Sequence, residues 1–123
     1  MAEKLRAAIN VARSDPPRVI KGNLLTDLEP VIPTAPKDAT LVVFRTAVLA
    51  YVASRQQRDS FAAMMREANS VWISSEASGL FSLPTAIAPP GLTRGRFLMM
   101  IGGTPVAWTS PHGQSIDWFG ASD

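Results

Sequence analysis

Apolar residues fall at helical spacing at the start of the chain: Leu5, Ala8, Ile9 and Ala12 share one face between Ala2 and Arg13, which predicts a helix. Asp15-Pro16-Pro17 ends it, because a proline ring disfavours helical backbone in the residue before it. Arg18 to Lys21 holds the β-branched pair Val19-Ile20 and closes on Gly22-Asn23, a pattern that predicts a short strand running into a turn. Leu24, Leu25, Leu28, Val31 and Ile32 return to helical spacing. Pro30 and Pro33 restrict that stretch to a short helix or irregular turns.

The middle of the chain alternates more regularly. Leu41-Val42-Val43-Phe44 is an unbroken apolar run introduced by Pro36-Lys37-Asp38, as expected of a central strand buried on both faces of a parallel sheet. Thr46 to Val52 reads as a turn or helical segment. Ser54 is placed to cap a second helix, with Phe61, Met65 and Ala68 on one side and Arg55, Arg58, Asp59 and Arg66 on the other. Val71-Trp72-Ile73 follows as a second buried strand, so the order strand, helix, strand predicts a parallel crossover.

Ala77 to Arg96 is rich in serine, glycine and proline, with Pro84 and Pro89-Pro90-Gly91 dividing it; it reads as a long loop. Phe97 to Ile101, Gly102-Gly103 and Thr104 to Thr109 then form a hairpin pattern, since paired glycines accept the positive φ angles of a tight type I′ turn. Pro111-His112-Gly113 makes another turn. Ser115 and Asp117 alternate with Ile116 and Trp118, which predicts a third antiparallel strand with one face in water.

Composition narrows the chemistry. The chain has 123 residues, 46% of them hydrophobic and 18% charged, enough for one domain that buries roughly two thirds of its unfolded surface. With no cysteine and one histidine, disulfides, thiolate metal sites and histidine-rich metal sites are excluded, and no metal centre is expected. The net charge is +2 and the basic residues are scattered, which argues against nucleic-acid binding. No apolar window approaches the length that spans a bilayer, and the first residues carry no basic stretch followed by an apolar core; a cytoplasmic location is the default expectation.

Four ordered segments carry a family likeness: Asp15-Pro16-Pro17-Arg18-Val19-Ile20-Lys21-Gly22-Asn23-Leu24-Leu25, Leu41-Val42-Val43-Phe44-Arg45-Thr46-Ala47-Val48-Leu49-Ala50-Tyr51, Val71-Trp72-Ile73-Ser74-Ser75-Glu76, and Pro105-Val106-Ala107-Trp108-Thr109-Ser110-Pro111-His112-Gly113. Together they resemble the uncharacterised bacterial family named domain of unknown function 2332. The resemblance implies an α/β, three-layer, partial Rossmann-like sheet of the methyltransferase-like kind, ending in an antiparallel hairpin or meander and lacking the first two strands. Residues 1–123 would be a single domain resembling the C-terminal half of a larger one. In the implied strand order 3-2-1-4-5-7-6 the chain supplies strands three to seven, so the Val19 and Leu41 strands must pair with each other or with a partner. Three positions depart from the family pattern: Arg45 stands where histidine is expected, Ser75 where asparagine is, and Asn23 where aspartate is.

The glycine-rich turn that would grip a cofactor is absent from the sequence, whose glycine clusters are Gly22, Gly102-Gly103 and Gly113. No cofactor is therefore expected for this chain alone, and S-adenosylmethionine only if the missing half is supplied. A homodimer, or a partner chain completing the sheet, is the expected assembly.

Candidate site residues cluster at strand ends, where open α/β sheets bind ligands. Arg45, Glu76 and His112 are the catalytic candidates. Asn23, Phe44 and Thr46 are the cofactor-binding candidates, Asn23 because the implied fold places an adenine-contacting residue after a strand. Each has a structural alternative: Asn23 a turn, Arg45 a surface charge packed along Tyr51, Glu76 an ion pair with Arg45, His112 a hydrogen bond to its own backbone. Ser74, Ser75 and Ser78 lack the glycine-flanked elbow of a hydrolase. Trp72, Trp108 and Trp118, with Met64-Met65 and Met99-Met100, read as core. Two function classes follow: a methyltransferase-like piece without independent activity, or a non-catalytic binding or interaction module.

Overall fold

The computed structural model describes residues 1–81 and 95–120. Helix α1 spans Ala2–Ser14, as the spacing predicts, yet buries no residue; Leu5, Ile9 and Val11 all remain exposed. A helix of this length without packing is held only by its own propensity.

The predicted strand at Val19-Ile20 does not form. Residues 16–23 have no regular structure, and Val19 and Ile20 are 86% and 55% exposed. A β-branched pair is a strand only where a neighbour offers a ladder and a surface to pack on, and here it has neither. Leu24, Leu25, Leu28 and Ile32 fold as turns and a 3₁₀ segment (Ile32–Thr34) that pack on the core.

Strand β1 (Val42–Thr46), helix α2 (Arg55–Glu67) and strand β2 (Val71–Ala77) form the expected crossover, with β1 and β2 parallel. Ser54 caps α2 through its side chain, which accepts from the Gln57 amide at 3.3 Å. Strands β3 (Phe97–Ile101) and β4 (Thr104–Thr109) make the predicted hairpin, and Gly102 and Gly103 supply φ angles of 59° and 84°. Strand β5 (Ile116–Trp118) adds antiparallel to β4, and all three of its residues are exposed. The loop read between Ala77 and Arg96 falls largely on residues 82–94, outside the described residues; its start is a 3₁₀ turn, Ser78–Leu80.

The sheet order is β1-β2-β3-β4-β5. An order 3-2-1-4-5-7-6 sets its seventh strand between the fifth and sixth, whereas every strand after β2 here lies beside its predecessor in an antiparallel meander. The fold is mixed α/β, with one parallel pair. β1 is an edge strand, not the central one, and it is not buried on both faces: Val42, Phe44 and Thr46 are exposed.

Pairing sorts the side chains by face, because residues opposite one another in a ladder share a face. Val43 and Arg45 of β1, Trp72, Ser74 and Glu76 of β2, and Leu98 and Met100 of β3 point toward α2. Phe61 and Met65 of α2 close on Trp72 there, while Leu98, Met100 and Trp108 form a second cluster with Phe81. The opposite face carries Val42, Phe44, Val71, Ile101, Ile116 and Trp118, all exposed. No α-helix covers it among the described residues, which make two layers where three are expected. An unbroken apolar run announces a strand, but it cannot say whether a second helical layer exists to cover it.

Candidate functional site

Arg45 is the fourth residue of β1, turned toward α2, and Glu76 is the sixth residue of β2, on the same face. The parallel crossover therefore brings together two residues that are 31 apart in sequence. The Arg45 guanidinium donates from Nη1 to Glu76 Oε1 at 2.5 Å, and the two side chains are 5% and 0% exposed. Glu76 Oε1 also accepts from the amides of Val48 and Leu49, at 3.1 and 3.2 Å, and Oε2 accepts from Leu49 at 3.3 Å. A buried carboxylate is tolerated when charge and several donors surround it, and this one has both.

Ala47 makes that arrangement possible. It has φ of 54°, the left-handed region that costs a residue with a Cβ about 1 kcal/mol or more. Its amide still donates to the Ser75 carbonyl at 3.0 Å, and the chain then turns into the 3₁₀ segment Leu49–Tyr51 with the next two amides on Glu76. Arg58 of α2 fastens the exit of the turn by donating to the Val52 carbonyl at 2.6 Å.

Arg45 does not run along Tyr51, which is 88% exposed. Its guanidinium stacks over the rings of Phe61 and Trp72, at 5.2 and 5.3 Å from their centroids, a favourable placement of a cation on aromatic faces. Burial pulls its pKa below the ordinary arginine value, and the charge and hydrogen bond of Glu76 oppose that shift. The guanidinium remains a cation at any physiological pH.

The other candidates lie apart. Asn23 follows no strand; it heads a turn in which its Oδ1 accepts from the Leu25 amide at 2.9 Å and its own amide donates to Asp27 Oδ2 at 2.7 Å. These contacts, with one from Thr26, hold the Asp27 carboxyl below its ordinary pKa. Phe44 and Thr46 sit on the face away from Arg45, with Phe44 75% exposed. His112 is exposed in the turn between β4 and β5, at the other side of the sheet from β1. Of the six, only Arg45 and Glu76 meet.

The sequence reading missed Ala47, the Val48 and Leu49 amides, and the aromatic seat of Arg45. An alanine carries no sign of left-handed backbone, so nothing in the sequence marks that turn. Among the serines, Ser75 Oγ pairs with Thr109 Oγ1 at 3.0 Å, and Ser74 Oγ is buried without a partner among the described residues. No group of three or more His, Asp or Glu able to hold a metal occurs among the described residues, and no helix there is long and apolar enough to cross a membrane. In chemical terms, the Glu76 carboxylate is spent on structure: its oxygens hold a cation and a backbone turn.

A model of the family described as "Uncharacterized protein conserved in bacteria (DUF2332)" matches residues 1–118. No curated protein and no solved structure matches the chain.

Proposed function

The chain belongs to the DUF2332 family of uncharacterized bacterial proteins, and within it we propose a non-catalytic interaction module that assembles as a homodimer through the outer edge of β1. The observation that carries this reading is that the outer edge of β1 has no strand paired to it among the described residues. Leu41 O accepts from the Val71 amide and the Ala47 amide donates to Ser75 O, so by strand alternation the backbone groups of Val42, Phe44 and Thr46 point away from β2. Edge strands of soluble proteins are commonly blunted by charge, proline or a bulge. These three residues offer none, and Val42 and Phe44 present exposed apolar side chains beside the open ladder. Two copies of one edge satisfy each other across a two-fold axis, because such an interface is self-complementary. The buried Arg45–Glu76 pair, closed on itself, favours a scaffold over a reaction centre.

Sedimentation velocity at tens of micromolar tests this. The wild-type chain is expected at twice its 13.2 kDa mass. Phe44→Pro is expected to run as a folded monomer, because a proline whose missing N–H faced outward removes only the edge donor. A wild-type monomer, or a Phe44→Pro dimer, refutes the proposal.

The parallel β1-α2-β2 unit favours a second reading, a methyltransferase-like piece that works only with a partner chain. The sedimentation experiment separates the two, since the second reading expects no homodimer through β1; calorimetric titration with S-adenosylmethionine tests what they share, that this chain alone gives no heat, and micromolar binding would overturn the incomplete pocket.

A further inference from the structure

Two apolar surfaces of this chain stay exposed. On the open face of the sheet, the register sets Val42 beside Val71 and lines up Phe44, Ile73 and Ile101 in one row that begins at the β1 edge. Phe44 is 75% exposed, and Val42, Val71 and Ile101 are exposed as well. The second surface is on α1, where Leu5, Ala8, Ile9 and Ala12 share one side, a stripe of the kind that packs against a core. None of the four is buried.

The β1 edge relates the two surfaces. An antiparallel ladder between two β1 strands has its two-fold axis perpendicular to the sheet, so both open faces lie on the same side and their apolar rows join. A ladder of five-residue strands alone leaves unmet most of the about 1,200–2,000 Å² that stable interfaces bury. An apolar helix laid across the joined rows supplies area of that kind. Helix α1 has 13 residues and is about 20 Å long, against about 24 Å between the β3 strands of the two copies. Residues 15–23 tether it to Leu24, which packs on the α2 side of the core, and reach about 30 Å when extended, enough to cross into a neighbouring copy.

We propose that α1 of each copy lies on the open sheet face of the other, with Leu5 and Ile9 against Val42, Phe44, Val71 and Ile101. The occupant is a second copy's helix and not the chain's own, because α1 and the open face are both present in a single chain and do not meet there. This rests on the β1 dimer proposed above, and it supplies the helical layer that the open face lacks among the described residues.

The chain has no cysteine, so introduced thiols react selectively. Ile9→Cys chains mixed with isotope-labelled Ile101→Cys chains and treated with a short bismaleimide are expected to give a mixed cross-linked dimer, read by mass spectrometry. Asn10→Cys, turned away from the apolar stripe of α1, is expected to give none. In sedimentation equilibrium Ile9→Asp is expected to weaken the dimer about tenfold or more, since the contact would bury its carboxylate. Asn10→Asp, which makes the same demand on the helix, is expected to leave dimerisation unchanged. Because α1 buries no residue, both variants are expected to keep the wild-type urea midpoint of the core. A monomeric wild-type chain overturns the β1 dimer and this inference with it. A wild-type dimer that yields no mixed product, or that keeps its affinity in Ile9→Asp, overturns the helix exchange alone. So does an Ile9→Cys/Ile101→Cys chain that cross-links only within itself, which places α1 on its own sheet.

Discussion

Replacing Glu76 by glutamine puts the internal ion pair to a quantitative test. Glu76 is fully buried and receives the Arg45 guanidinium and the amides of Val48 and Leu49. The amide keeps the shape of the carboxylate but loses its charge, which leaves the Arg45 cation buried without a counter-ion. One amide side also becomes an N–H₂ that faces donors. Removing one partner of a buried pair costs about 3–5 kcal/mol, a large part of the roughly 5–15 kcal/mol that holds a domain together. Arg45→Met/Glu76→Gln removes the stranded cation while the glutamine oxygen still accepts from the Val48 and Leu49 amides. The double variant is therefore expected to recover about 2 kcal/mol relative to Glu76→Gln alone, the size of coupling seen between residues in direct contact. Urea unfolding followed by far-ultraviolet circular dichroism at pH 7 reads all four corners of the cycle. Glu76→Gln within about 1 kcal/mol of wild type, or a double variant no more stable than the single one, refutes the reasoning.

Other positions give independent checks. Phe61→Ala empties a 2%-exposed site where the ring meets Trp72 edge-on and underlies Arg45; a loss of about 3–5 kcal/mol in urea unfolding is expected. Ala47→Gly relieves left-handed backbone at φ 54° and is expected to raise stability by about 0.5–1 kcal/mol, the strain relief outweighing the entropy of glycine; a drop in the urea midpoint contradicts it. The lowered Asp27 pKa means that this carboxylate favours the folded turn above its unfolded pKa, and that the contribution is lost as pH falls through the lowered folded value. The Asn23 amide, which donates to Asp27, is expected to shift with the Asp27 carboxylate in nuclear magnetic resonance, with a midpoint below that of an unperturbed aspartate; a midpoint at or above the unperturbed one contradicts the assignment.

The secondary structure is legible wherever a local signal coincides with tertiary support. The Ser54 cap, the Phe61 and Met65 stripe and the Gly102-Gly103 turn each carry their own conformational preference, and each appears as the sequence predicts. Val19-Ile20 has strand-forming residues but no ladder to join, and β propensity without a neighbour decides nothing. Arg45 and Glu76 were legible as a pair because both end strands of one crossover; the turn that completes the pair was not, because Ala47 gives no local sign of its backbone.

By itself the sequence determined both α-helices, the parallel crossover, the hairpin and the absence of thiol chemistry, since these rest on spacing, caps, turn residues and composition; it did not determine the fate of Val19-Ile20. Tertiary structure alone decided that β1 lies at an edge, that one face of the sheet has no helical layer among the described residues, that α1 buries nothing and that the Glu76 carboxylate is closed off by Arg45 and two amides. The physical reason is that burial and pairing belong to neighbours in space. An apolar run such as Leu41-Val42-Val43-Phe44 fixes a strand, while only the assembled sheet fixes which side of it meets water.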